Sequence, residues 1–351
     1  MHFLFNNVCI DAIVHDVPPH VMSSSDIETE LAPVYERLRL PEGRLELMTG
    51  IRERRFYDPG TKPGQISQKT VKLALKAAGL ELSQCGALLH GSVCRDQMEP
   101  ATATGVHAWS GLPNDAMVLD ISNACLGLLN GAVFIANMIE LGQIQAGVVV
   151  GTEIGRPLVE ATIAKLLNDP GVTRKSIKGD IASLTIGSGS AAIVLCHSDL
   201  SKTGNRLLGG ACLADTSHHE LCAGGVEENT GDNRPLMSTD SEALLHAGVG
   251  LAATTWQETK QALGWSNGDV SRVITHQVGK AHRQLLLETL GLPAEIDFPT
   301  IEVTGNTGAA ALPTAAAMAL QQGAIRAGDQ VAFLGIGSGL NSMMLGIDWK
   351  A

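Results

Sequence analysis

A thiol, an imidazole and a carboxamide at Cys125, His276 and Asn306 are the residue types that form, carry and release a covalent intermediate. Cys125 lies in DISNACLGLLNGAVFIANMIELGQIQAGVVVG, residues 120–151. That stretch reads as a short strand, a sharp turn, a long apolar helix and a Val-rich strand closed by Gly151. Cys125 falls where the helix should begin. A helix start has unpaired backbone N–H groups and partial positive charge, and both favour a thiolate. The spacing therefore predicts a lowered thiol pKa and a nucleophile. A small core hydrophobe is the alternative for any lone cysteine, and the rest of the chain decides between them.

The deciding feature is an internal repeat. KAAGLELSQCGALLHGSV, ending at Val93, resembles KQALGWSNGDVSRVITHQV, ending at Val278. Leu141–Gly147 resembles Gln322–Gly328, 181 residues on, whereas Ile186–Gly189 resembles Ile336–Gly339 only 150 residues on. The shortfall implies an inserted cap at about 152–184 in the first copy. The chain reads as two copies of one α/β unit: residues 1–196, then 197–351 with a linker from Cys196 to Leu244. The 181-residue offset carries Cys125 onto Asn306, so both should open equivalent helices. It sets His276, leaving a strand in VITHQV, opposite Arg95. Strand and helix ends of paired units would meet near a pseudo-twofold axis, which is where a site belongs.

The elements around these residues are read from pattern. Met1–Val17 should supply a first strand, and Ser24–Arg39 a helix capped by Ser25 or Asp26. Pro41–Gly64 should be loop, with a basic GIRERRF run. Gln65–Ala78 has helical spacing, and Cys85–Val93 reads as a buried strand. Hydrophobic residues make up 44% and charged residues 17%, a folded chain with ample core. A net charge of −11 argues against nucleic acid or an anionic membrane as partner. The seven scattered cysteines form no CxxC pair, so neither zinc nor a disulfide framework is expected. MHFLFNNVCIDAIVHD has no signal-peptide pattern, and no apolar run is long enough to span a membrane. A cytoplasmic setting is expected.

NACLGLLNGA around Cys125, THQVGKAH around His276, GNTGAAALP around Asn306 and the closing GIGSGLN together resemble the β-ketoacyl synthase III branch of the thiolase superfamily. The resemblance covers essentially the whole chain. SVCRDQMEP, the Leu221–Cys222 region and FLGIGSGLN narrow it to the OleA-type acyl-CoA condensing enzymes of long-chain olefin biosynthesis. It implies a five-layered αβαβα fold of two duplicated halves, a homodimer, and acyltransferase activity through Cys125, His276 and Asn306. The matching glutamate, Glu99, would reach across the dimer into the partner's site. One departure stands out: the family's His-Gly-Asn is Thr304–Gly305–Asn306 here.

The implied reaction is non-decarboxylative Claisen condensation of two long-chain acyl-CoAs to a 2-alkyl-3-oxoacyl-CoA. Cys125 would hold the first acyl group, and His276 and Asn306 would donate to the enolate oxygen of the second. The backbone N–H groups of Cys125 and of Ser338–Gly339 would serve the acyl carbonyl, and Glu99 would take the α-proton. No cofactor is expected. A malonyl-ACP donor would supply the carbanion by decarboxylation instead, and transfer to a hydroxyl or amine would form no carbon–carbon bond. A silent dimer partner is disfavoured by the intact set.

Other residues are weaker candidates. Asp96 is expected to pair with Arg95 or to stabilise a turn. His218, His219 and His282 lack metal-ligand spacing. Gly335, Gly337 and Gly339 lack the last glycine of a dinucleotide loop, and more simply admit backbone to a thioester. Arg52, Arg54, Arg55, Lys280 and Arg283 could meet coenzyme A phosphates, but none stands out. Ala124, Gly127, Gly308, Ala309 and Ala310 would leave room for alkyl channels or tight packing.

Overall fold

The computed structural model describes residues 1–226 and 235–351; part of the expected linker, 227–234, lies outside the described residues. Nine strands run along one mixed sheet: β1 (Val8–Asp16), β2 (Cys85–His90), β3 (Met117–Asp120), β4 (Ala146–Glu153), β5 (Gly189–His197), β6 (Arg206–Ala214), β7 (Arg272–Thr275), β8 (Gln330–Gly337) and β9 (Asn341–Asp348). Their order is β7-β8-β9-β6-β1-β5-β4-β2-β3, with His2–Leu4 added against β6. The order is palindromic about a seam where β1 and β6 share a single residue pair, Cys9 and Arg206. Reading outward, β1-β5-β4-β2-β3 matches β6-β9-β8-β7, and a lone parallel bridge from Val273 to Asp297 stands in the place of β3.

Strand alternation distributes the core. Ala87, Leu89, Val149, Ile193 and Leu195 face inward onto the helices α3 (Gly127–Glu140) and α6 (Ala311–Gln321). Val331, Phe333, Met343 and Leu345 of the other half face the same two helices. The opposite sides of the strands carry Leu88, Val148, Val150 and Val194 under α1 (Pro63–Ala78) and α2 (Thr102–Ser110). In the second half Ala332, Leu334 and Met344 lie under α4 (Ser241–Leu263) and α5 (Lys280–Leu290). Helix, sheet, shared helices, sheet and helix make the five αβαβα layers of a thiolase-like fold.

The halves differ at one connection. β8 and β9 are joined by the three residues 338–340, whereas 154–188 separate β4 from β5 and contain the helices Arg156–Asn168 and Lys178–Leu184. The excursion starts two residues later than the cap expected at 152, because Thr152 and Glu153 extend β4. Its Val159, Ile163, Leu166 and Leu184 bury against Ile27, Leu31, Val34 and Phe56.

Several local expectations are corrected. Residues 24–39 form two helices, Ser24–Glu30 and Ala32–Leu38, with Pro33 opening the second; a proline lacks the N–H that a continuous helix would need. The cap of the first is Ser23, which accepts from Asp26 N–H. The loop-rich 41–64 contains the helix Arg44–Thr49 and the strand Glu53–Phe56, paired with His20–Ser23. The linker from Cys196 to Leu244 contains β6, an integral strand of the second half. The strand-end offset is 185, because β2 ends at His90 and β7 at Thr275, so Gly91 rather than Arg95 is the counterpart of His276.

The carboxyl ends of β2 and β4 meet the start of α3 backbone to backbone. A Cβ on Gly91 would lie 2.5 Å from the carbonyl carbon of Gly127, and one on Gly151 would lie 2.8 Å from Gly91 O. Neither partner can rotate away. Gly91→Ala should therefore lower the stability read from urea unfolding by about 1–3 kcal/mol, the usual overpacking cost. An unchanged midpoint would contradict this contact.

Candidate active site

Cys125 sits in a 3₁₀ turn, Ala124–Leu126, that leads directly into α3. Ala124 is held at φ +44°, in the left-handed region that alanine rarely enters. Such local strain, held by surrounding packing, recurs at functional turns. Asn123 precedes it, donating to Asn130 Oδ1 at 2.8 Å and accepting from Asn341 Nδ2 at 3.4 Å. The end of β8 lies against the turn: a Cβ on Gly337 would be 3.6 Å from Cys125 N, and one on Gly335 would be 2.7 Å from Leu126 Cδ2. The glycines of GIGSG thus admit backbone close to the thiol. Ser338 and Gly339 follow directly, at the mouth of the same strand end.

His276 leaves β7 beside β8, its N–H bonded to Leu334 O at 2.9 Å. It is 3% exposed, and neither ring nitrogen has a hydrogen-bond partner among the described residues. Two neighbours fix its backbone. Asp297, paired with Arg283, accepts from Thr275 N–H and hydroxyl at 3.3 Å. Gln277 accepts from Thr300 and Ile301 N–H and donates to Phe298 O, tying the histidine to the segment that leads to Asn306.

Asn306 does not open its helix in the way Cys125 does. It precedes the 3₁₀ turn Gly308–Ala310 by two residues, held by Asn306 N–H to Thr185 O and by Gly187 N–H to Asn306 O, both 2.9 Å. Its Oδ1 accepts from Gly308 N–H at 3.0 Å, which leaves the Nδ2 amide as the free donor end. The turn at 308–310 packs on the turn at 124–126, and the end of β8, the strand beside which His276 emerges, lies against that same turn.

Glu99 is placed elsewhere. It is exposed in the loop 91–101, after Met98, which is 91% exposed. That loop is pinned at both ends: Asp96 accepts from Gly64 N–H at 2.8 Å, and Asp120 accepts from Thr102 and Ala103 N–H. Asp96 thus caps the start of α1 from across the loop, which is neither the Arg95 pair nor the turn role expected of it. The carboxylate whose charge reaches Cys125 is Glu153, a residue that a Val-rich strand closed at Gly151 leaves out. It is 5% exposed and accepts from Val93, Cys94 and Ala309 N–H. Its sequence signal was a lone acid ending an otherwise apolar run.

Burial governs the protonation states. It pushes the Cys125 thiol up to about 12, helped by Glu153 and Cys222, the reverse of the lowering expected from the helix start. Burial holds His276 down to about 3, with His282 adding to the effect, and His282 itself down to about 4. Glu153 is raised, mainly by burial against the pull of its N–H donors. The Cys125 thiol and the His276 imidazole are thus both neutral at rest, and a neutral imidazole is a form that can accept a proton. Other expected residues have structural positions. Arg283 pairs with Asp297, Arg54 is fully buried and donates to Ser24 and Met22, and Gly127 and Gly308 abut Gly91 and Glu153. Among the described residues no His, Cys, Asp or Glu cluster could hold a metal ion, and no helix is long and apolar enough to cross a membrane.

The model of the C-terminal domain of 3-oxoacyl-[acyl-carrier-protein] synthase III matches residues 260–349. An acyl-CoA:acyl-CoA alkyltransferase of Shewanella oneidensis is 45% identical over 98% of this chain and 99% of its own length. One from Xanthomonas campestris is 33% identical over 99% of this chain and 100% of its own. Cerulenin-bound OleA of Xanthomonas campestris superposes with a TM-score of 0.93 at 32% identity, covering 99% of this chain and 98% of that one. Other solved forms of that OleA replace a single cysteine, glutamate or histidine.

The buried neutral histidines have a consequence for stability. His90 and His276 have folded-state pKa values lowered from 6.5, so below pH 6.5 the unfolded chain takes up protons that the folded one refuses. Stability should fall with pH between 6.5 and about 4, by up to about 1.4 kcal/mol per unit for each histidine. The raised Glu153 and Asp297 oppose this trend. Replacement isolates one contribution: His276→Gln should show a shallower decline of urea midpoint with acid than the parent. Parallel curves would mean that His276 is not buried neutral.

Proposed function

We propose that this chain, which belongs to the β-ketoacyl synthase III branch of the thiolase superfamily and is an acyltransferase, condenses two long-chain acyl-CoAs without decarboxylation, as a homodimer. The observation that carries the reading is the placement of Glu99. It sits on an exposed loop pinned at both ends, and it precedes Cys125 by the same number of residues as the replaced glutamate precedes the replaced cysteine in the OleA structures. The 45% identity to an acyl-CoA:acyl-CoA alkyltransferase supports the same reaction.

A second copy is the natural destination for Glu99. β3 is an edge strand at the end of the sheet, and unpaired edges invite pairing. Met117 on that strand is 41% exposed, and the loop carries Val93 and Met98 at 59% and 91%. Pairing across β3 would cover these side chains and deliver the partner's Glu99 to a site whose described carboxylate, Glu153, is already engaged by three N–H groups.

The chemistry then follows from the resting state. The Cys125 thiol attacks the first thioester as its proton passes to His276. Free CoA leaves with that proton, and the acyl group stays on sulfur. The partner's Glu99 removes the α-proton of a second acyl-CoA. Its enolate oxygen takes hydrogen bonds from His276 and the Asn306 amide, preorganised in a dry site. The carbanion attacks the acyl-Cys125 carbonyl, whose oxygen is held by backbone N–H of Cys125 and the Ser338–Gly339 turn. Collapse expels the Cys125 sulfur, and two acyl-CoAs have become one 2-alkyl-3-oxoacyl-CoA and one CoA.

Purified protein incubated with myristoyl-CoA alone should give the condensed product by mass spectrometry. Cys125→Ala and Glu99→Ala should each abolish it. Co-expressing the two inactive variants should restore activity, because each mixed dimer then holds one complete site. Absence of restoration would place Glu99 outside the partner's site. Product only on addition of malonyl-ACP, unaffected by Glu99→Ala, would replace this reading with that of a ketoacyl synthase.

A further inference from the structure

Among the described residues, Glu153 is the carboxylate whose charge reaches Cys125, and both of its oxygens are engaged. Oε1 accepts from Val93 N–H at 3.0 Å and Ala309 N–H at 3.3 Å, and Oε2 accepts from Cys94 N–H at 3.1 Å. The donors come from two different parts of the machinery. Val93 and Cys94 begin the loop that ends in Glu99, whereas Ala309 lies in the turn just after Asn306. A Cβ on Gly308 would stand a tight 3.2 Å from Oε1, and Gly308 lies at φ +53°, where a side chain is strained, so glycine suits a turn that closes on the carboxylate. Next to it, Ile154 N–H donates to Cys94 Sγ at 3.3 Å, and Thr152 N–H donates to Ser92 Oγ at 2.7 Å, fastening the same loop to β4.

Although burial raises the Glu153 pKa, its two oxygens already hold three fixed N–H donors, and taking a proton would displace one of them. The carboxylate makes a good clamp, since buried charge is tolerated only where it is fully bonded. We propose that Glu153 is a positioning residue: one carboxylate fastens the Glu99 loop of one half and the Asn306 turn of the other around Cys125. This rests on the reading of Cys125 as the acyl-carrying nucleophile.

A clamp and a mere stabiliser of the fold differ in what they do to the thiol. The negative charge of Glu153 opposes formation of the Cys125 thiolate, so removing that charge should make the thiol easier to ionise. Two readouts on the full-length protein test this. The first is CoA release from myristoyl-CoA. The second is the pH profile of Cys125 alkylation by iodoacetamide, followed by peptide mass spectrometry. For Glu153→Gln, kcat should fall on the order of a hundredfold, the cost of misplacing reacting groups by about 1 Å, with KM nearly unchanged. Its alkylation profile should move to lower pH.

Glu140→Gln is the control. Glu140 also holds backbone N–H groups, those of Asn6 and Asn7, but at the far end of α3. That variant should lose thermal stability and leave both readouts unmoved. Wild-type kcat in Glu153→Gln overturns the proposal. A fall in kcat with an unshifted alkylation profile also overturns it and leaves a structural role alone. If Glu153→Gln does not fold, Glu153→Asp decides, because it keeps the charge and withdraws the reach. Condensation should slow while the profile stays put, and wild-type kcat there again overturns the clamp. Should the parent release no CoA at all, the condensation reading fails, and the alkylation arm still judges Glu153.

Discussion

Helices α3 and α6 are packed between two sheets, so each has to bury nearly its whole circumference, and this constraint sets the character of everything at their ends. A helix buried all round must be apolar all round, and one held between two strand layers must also be thin. ALPTAAAMAL in α6 meets both demands, with every residue from Ala311 to Ala317 buried. The turns that start these helices then fall at the centre of the molecule, where water is scarce. Desolvation is the largest cause of the shifts at Cys125, His276 and Glu153 alike, and it drives each group toward its neutral form. The fold thereby selects a resting pair of thiol and imidazole over an ion pair.

Much of this was legible in the sequence, because it follows from element ends. His276 closes an apolar strand, Cys125 and Asn306 stand just before apolar helices, and the repeat was visible because both halves use the same strand–helix–strand unit. What escaped has physical reasons. A helix start and a dry interior act on a thiol in opposite directions, and only packing says which prevails. Glu153 was missed because glycine at 151 looked like an end, whereas the strand runs on for two residues to carry the acid inward. The 181-residue offset holds at the carboxyl ends of α3 and α6 and drifts elsewhere, since α3 has 14 residues and α6 has 11. Pro33 broke a helix whose periodicity spanned it.

Small residues near the motifs could have meant space for a substrate. Here several mean the opposite. Gly91, Gly127 and Gly151 bring three backbones together, Gly308 admits a carboxylate, and Gly335 and Gly337 admit Leu126 and the nucleophile turn. Composition alone cannot separate a cavity from a contact, because both call for the absence of a side chain. The coordinates separate them through what a Cβ would strike.

The seam between the halves also governs how the chain can be made. β1 lies between β5 and β6, pairing Val8 with His197 and Cys9 with Arg206. An apolar strand made this far ahead of its partners therefore has no neighbour until nearly 200 residues have followed it. At typical elongation rates it waits on the order of 10–40 s before its ladder can form. Long-range pairing of this kind is slow and exposes sticky edges. In a cell, the nascent amino-terminal strand is thus the segment most in need of a chaperone, and the yield of enzyme depends on how well it is shielded during translation.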